Sequence, residues 1–72
     1  MFWNYRILNR GGYFQIMECF YEDDEPDKVR SYIDRTACPS GETKCELLAD
    51  LKAMMDAFKR PILTETDLPG DE

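Results

Sequence analysis

Hydrophobic and polar residues alternate through the first segment of the chain. In FWNYRIL, residues 2–8, Trp3, Tyr5 and Ile7 fall on one side of a period-two pattern and Asn4, Arg6 and Leu8 on the other. Period two with aromatic residues predicts a β-strand. NRGG, residues 9–12, reads as a turn, since Asn and Gly tolerate positive φ. YFQIMECFY, residues 13–21, predicts a second strand, with Phe14, Ile16, Glu18 and Phe20 on one face and Tyr13, Gln15, Met17, Cys19 and Tyr21 on the other. Both faces are substantially apolar, which marks the central strand of the sheet. EDDEPDK, residues 22–28, breaks the pattern: adjacent carboxylates repel, and Pro26 offers no backbone donor. It predicts a solvated hairpin loop. VRSYIDRT, residues 29–36, resumes the alternation as a third, more polar edge strand.

The period then changes. Thr43-Lys44-Cys45-Glu46 fits a capping box, with the Thr43 hydroxyl accepting from the Glu46 amide and the Glu46 carboxylate reaching back to the Thr43 amide. Beyond it Leu48, Leu51, Met55 and Phe58 recur at spacings of three and four, widened by Leu47 and Met54, while Asp50, Lys52, Asp56 and Lys59 lie off the stripe. This predicts an amphipathic helix whose stripe faces the core. Lys59 and Arg60 suit its C-terminal end, and Pro61 stops it. Ile62 and Leu63 are placed to dock, and residues 64–72 are expected as a flexible acidic tail.

The predicted fold class is therefore α+β: a three-stranded antiparallel meander with one C-terminal helix packed on one face, β-β-β-α, in a single domain of residues 1–63. One helix covers only one side of three strands. The uncovered side, carrying either Met17, Cys19 and Tyr21 or the Phe14 set, is expected to meet a protein partner or a second copy.

Composition narrows the function. The 72 residues carry a net charge of −6, against the basic surface that a nonspecific nucleic-acid binder needs. A basic protein partner would be steered in by the same field. The three cysteines, Cys19, Cys38 and Cys45, are an odd set, unlike the even sets of secreted disulfide scaffolds. The start MFWNYRILNRGG has no signal-peptide pattern, and no stretch is apolar for long enough to span a membrane. The expected location is a reducing cytoplasm.

The candidate chemistry is thin. In ACPSGETKCELLADL, residues 37–51, Cys38 and Cys45 are spaced too widely for a zinc pair and lack histidine partners, so the stretch reads as a helix start. Cys45 on the first turn is its one candidate reactive thiol. The acidic run lacks the alternate spacing and the glycine of a calcium loop. Glu18, among apolar neighbours, is a candidate acid or base without a pocket, and is expected to face Arg6 or Arg30 across the sheet. Trp3, Tyr5, Phe14 and Phe20 are expected as core rather than as base-stacking residues. There is no glycine-rich phosphate loop, and without histidine the usual Ser-His and Cys-His nucleophiles are excluded. No enzyme activity, metal or cofactor is predicted.

Trp3-Asn4-Tyr5-Arg6, Glu18 to Tyr21, Gly41-Glu42-Thr43, Asp50-Leu51, Met54 and Pro61 to Leu63 together resemble the HicB-like antitoxin fold, a cut-down relative of the ribonuclease H sheet, and small bacterial and phage proteins with a WNYR start and a GET-helix-PIL end. The resemblance spans most of residues 3–63. It departs at Met17, where those relatives often carry histidine, and in lacking room for a DNA-binding segment after the helix. It implies non-enzymatic neutralisation of a small basic RNA-cleaving partner. The expected contact residues are Glu22, Asp23, Asp24 and Asp27 of the loop with Met17 and Tyr21 of the sheet face. The alternative is a phage-encoded inhibitor of a host defence complex, acting as a nucleic-acid mimic through its carboxylates.

Overall fold

The computed structural model describes residues 1–69. Strand β1, Phe2–Arg10, pairs antiparallel with β2, Tyr13–Tyr21, in an unbroken register from Phe2 opposite Tyr21 to Arg10 opposite Tyr13. Gly11 and Gly12 form the two-residue turn at φ 62° and 92°, as a type I′ turn requires, and the Gly12 amide donates to Asn9 Oδ1 at 2.8 Å. Helix α1 runs from Lys44 to Asp56 and tightens into a 3₁₀ turn, Ala57–Lys59.

The fold is α+β, but its sheet has four strands rather than three, in the order β3-β2-β1-β4. β3 is only Ser31–Tyr32, antiparallel to β2. The predicted strand 29–36 is interrupted because the Arg35 amide turns back to the Ile33 carbonyl at 2.8 Å. The segment still runs beside β2, with the amides of Arg30, Ile33 and Ala37 donating to the carbonyls of Phe20, Glu18 and Ile16. β4, Leu63–Thr64, follows the helix and pairs parallel with β1 at Leu8 and Asn9. A 3₁₀ turn at Glu65–Asp67 comes next, closed by a Thr64–Asp67 capping box, and Leu68 packs on the core. The packed domain therefore continues past residue 63. Of the segment 64–72 expected as a tail, residues 70–72 lie outside the described residues.

The two sheet faces build separate cores. On one, Leu8, Met17, Cys19 and Tyr21 are sealed by Val29, Leu63, Tyr32 and Leu68. Burying a side chain such as Leu8 or Met17 contributes about 1.5–3 kcal/mol. On the other, Tyr5, Ile7 and Ile16 meet Met54 and Ala57 of the helical segment, with Ala37 alongside. This second face is the one the helix covers.

The helix is rotated from the orientation its apolar stripe predicts. Asp50, Met54 and Ala57 face the sheet, while Leu48, Leu51, Met55 and Phe58 are exposed. The physical cause is a polar anchor. The Tyr5 hydroxyl donates to Asp50 Oδ1 at 2.5 Å, and the Ser40 amide donates to Asp50 Oδ2 at 2.9 Å. Ala57, without a long side chain, lets the helix end close onto β1. At the helix start the Thr43 hydroxyl accepts from the Glu46 amide at 3.1 Å as predicted, but the Glu46 carboxylate accepts from the Glu42 amide, one residue before the expected partner.

Candidate interaction surface

The residues expected to bind a partner are divided by the structure. Met17 and Tyr21 are interior, almost without solvent exposure. Val29, Leu63 and Leu68 arrive from the loop and the C-terminal segment to cover their face, which the three-stranded reading left open. Tyr21 stacks on Phe2, ring centroids 4.9 Å apart, and its hydroxyl donates to Asn4 Oδ1 at 2.8 Å.

The acidic loop is exposed, and part of its charge is engaged. Glu22 pairs with Arg30 at 3.5 Å, and Asp23 with the Met1 amino group at 3.0 Å. Asp24, Glu25 and Asp27 have no ion-pair partner among the described residues. Two tight turns shape the loop, the Glu25 amide donating to the Glu22 carbonyl and the Lys28 amide to the Glu25 carbonyl.

Three titratable side chains, Tyr5, Cys19 and Asp50, are shifted by their surroundings. Burial pushes the Cys19 thiol up to about 11, opposed by the nearby Arg6 charge, so it stays protonated near neutral pH. Tyr5 is raised well above the phenol range by burial first, then by its hydrogen bond to Asp50 and the charges of Asp50 and Glu18. The same hydrogen bond, with that from Ser40, holds Asp50 below the usual carboxylate range. Asp50 thus links the helix to Tyr5 of the sheet and to the Ser40 backbone. Glu18 lies across from Tyr5. It does not meet the arginines expected of it, because Arg6 projects from the opposite face and Arg30 is taken by Glu22. With Arg35, Thr36 and Cys38 it lines a shallow cleft of about 350 Å³. Cys38 and Cys45 are exposed free thiols. Among the described residues no group of three or more Cys, Asp or Glu is placed to hold a metal ion, and no helix is long and apolar enough to cross a membrane.

Sequence reasoning missed two features. The first is Arg6, buried with its guanidinium donating to the Tyr21 hydroxyl at 3.1 Å and the Pro61 carbonyl at 2.7 Å. It ties β1 to the segment leading into β4, and no local pattern around Arg6 announces it. The second is the apolar surface. Among the described residues eleven large apolar side chains are exposed against ten buried hydrophobic ones, so the fold leaves as many outside as its core takes in. Trp3 and Phe14, expected as core, belong to the exposed group. The helix stripe supplies Leu48 at 52%, Leu51 at 40%, Met55 at 68% and Phe58 at 72% exposure. Beside Phe58 opens a groove of about 420 Å³, floored by Ile7 and Ile16, walled by Phe14, Phe58 and Ile62, and polar only at Gln15 and Thr36. The stripe was legible in the sequence, but its direction was not.

Comparison with protein-family models, curated proteins and solved structures finds no match to this chain.

Proposed function

We propose that this chain is a small, non-enzymatic protein-binding module of HicB-like type, acting in the cytoplasm on a basic partner. The observation that carries this reading is the apolar groove and helix stripe standing open on a strongly acidic domain. Exposed apolar surface of this extent on a small chain is characteristic of a binding face. The charge of −6 would speed encounter with a basic protein, and the groove would hold it once seated. The HicB-like assignment rests on the resemblance of the Trp3-Asn4-Tyr5-Arg6 and Gly41-Glu42-Thr43 stretches.

The test is affinity capture of the tagged chain from a lysate of its source cell, with nuclease treatment, read by mass spectrometry. A small basic protein is expected to be retained after nuclease, to be lost with Phe14→Glu in the groove wall, and to bind more slowly but remain bound with Asp24→Asn/Asp27→Asn. Retention of a large nucleic-acid-handling complex that added DNA or RNA displaces would replace this reading with nucleic-acid mimicry. No retained partner, or one indifferent to Phe14→Glu, would refute the groove as the contact.

A further inference from the structure

We infer that the outward face of α1 and of the 3₁₀ turn that extends it seats a second copy of this chain, in a two-fold symmetric antiparallel helix pair. The inference rests on the reading that the open apolar surface binds protein, and it names the occupant of one part of it. The surface differs from the sheet face first expected to pair, which the fold has closed.

The first argument is self-complementarity. Leu48, Leu51, Met55 and Phe58 are spaced three, four and three residues apart, a pattern that reads the same in both directions. A two-fold axis crossing the helix at the level of Ala53 sets Leu48 against the partner's Phe58 and Leu51 against the partner's Met55. A symmetric interface requires one patch to match itself in this way, and spacings of three and four are those that interlock between packed helices.

The second argument is charge. Lys52 and Asp56 lie one turn apart on one flank of the stripe, both exposed. The same axis brings Lys52 beside the partner's Asp56, and Asp56 beside the partner's Lys52. In the single chain Asp56 pairs with Lys59, 3.3 Å away across an exposed surface, and with no other cation among the described residues. Opposite charges are thus presented reciprocally.

The third argument is area. With about 200 Å² for a fully exposed large side chain, the four stripe residues present roughly 450 Å², and Leu47 brings this to roughly 550 Å². The lysine stems at the rim bring the patch to the ~600 Å² per partner of the smaller specific interfaces. A chain this short gains from such burial, because a single small core seldom supplies more than ~3–5 kcal/mol.

Sedimentation equilibrium of the full chain from roughly 1 to 500 µM spans the affinities expected of an interface this size. The expected result is a mass of twice 8.5 kDa at the upper end. Leu51→Glu/Met55→Glu is expected to remain monomeric throughout, with its far-ultraviolet circular dichroism unchanged, since both positions are exposed in the monomer. Lys52→Glu and Asp56→Lys are each expected to weaken the dimer about tenfold, and their combination to restore it. A wild-type monomer across the range overturns the inference, as does a dimer unmoved by Leu51→Glu/Met55→Glu or a combined charge swap no better than either single change. A wild-type monomer would leave the protein-binding reading standing, because capture of a basic partner through the groove is scored separately by Phe14→Glu.

Discussion

Met54 and Met55 are adjacent copies of the same side chain, one buried and one exposed on the same helix, which makes them a direct test of its rotation. Met54 is 4% exposed and packs with Tyr5, Ile7 and Ala57; Met55 is 68% exposed. Truncating Met54 to Ala removes roughly 100 Å² of buried apolar surface, about 2.5 kcal/mol at 25 cal/mol per Å², and the cavity left behind widens the expected cost to about 2–4 kcal/mol. Met55→Ala removes solvated surface and is expected to cost less than about 0.5 kcal/mol. Helix propensity cannot produce the difference, because the two substitutions are identical and neighbouring. The assay is urea unfolding followed by circular dichroism at low micromolar protein, with m-values compared to confirm that both variants unfold from the same compact state. Under the helix-pair inference a cost for Met55→Ala emerges only as protein concentration rises, by mass action. Equal costs at low concentration, or a larger one for Met55, would refute the rotation and return the stripe to the core.

Other expectations follow from the anchors of the fold. Because burial raises the Cys19 pKa from 9.0 to about 11, its contribution is fully present below pH 9 and is lost as pH rises to 11, a decline of roughly 2–3 kcal/mol that unfolding midpoints under reducing conditions should show and Cys19→Ala should remove. Asp50 is held low by Tyr5 and Ser40, so its stabilisation is present above the ordinary carboxylate pKa of about 3.9 and fades as pH falls through its lowered value. Tyr5→Phe removes the larger cause, and its melting temperature should therefore fall less steeply on acidification than that of the wild type. A Cβ on Gly41 would lie 2.6 Å from the Leu47 backbone nitrogen and 2.7 Å from the Glu46 carbonyl carbon. Neither atom can yield without moving the helix start, so Gly41→Ala should destabilise by about 1–3 kcal/mol in a thermal melt; a neutral result would refute the close approach of Gly41 to the helix start.

The β1–β2 hairpin was legible because every local signal agreed: alternation in Phe2–Leu8 and Tyr13–Tyr21, and glycines at the two positions that need positive φ. The helix start was legible for the same reason, through Thr43 and Glu46. What escaped depends on distant partners. Leu63–Thr64 has no strand pattern of its own and becomes β4 only because β1 offers an unpaired edge at Leu8 and Asn9. That strand and Leu68 in turn bury Met17 and Tyr21, which local periodicity could place on a face but could not show to be covered. The helix direction failed differently. Periodicity assigns the most apolar stripe to the core, whereas one hydrogen-bonded carboxylate, Asp50, fixes which side meets Tyr5. The acidic loop was visible as a charge run, but its partial engagement through Arg30 and the amino terminus was not.

The contact between Arg6 and Pro61 joins residues 55 positions apart, and the Leu8–Leu63 pairing beside it spans the same distance. During synthesis β1 emerges early and finds β2 at once across a two-residue turn, but its other edge waits until the segment beyond the helix has been made. For that interval the guanidinium of Arg6 lacks the Pro61 carbonyl, and the face of Leu8 and Met17 lacks one of its lids. The nascent chain thus carries a hairpin with an open edge and open apolar faces, the state most exposed to wrong pairing with neighbouring chains. Closure by two residues of parallel strand is a late, long-range step, and the rate at which this domain folds should depend on it more than on the hairpin that forms first.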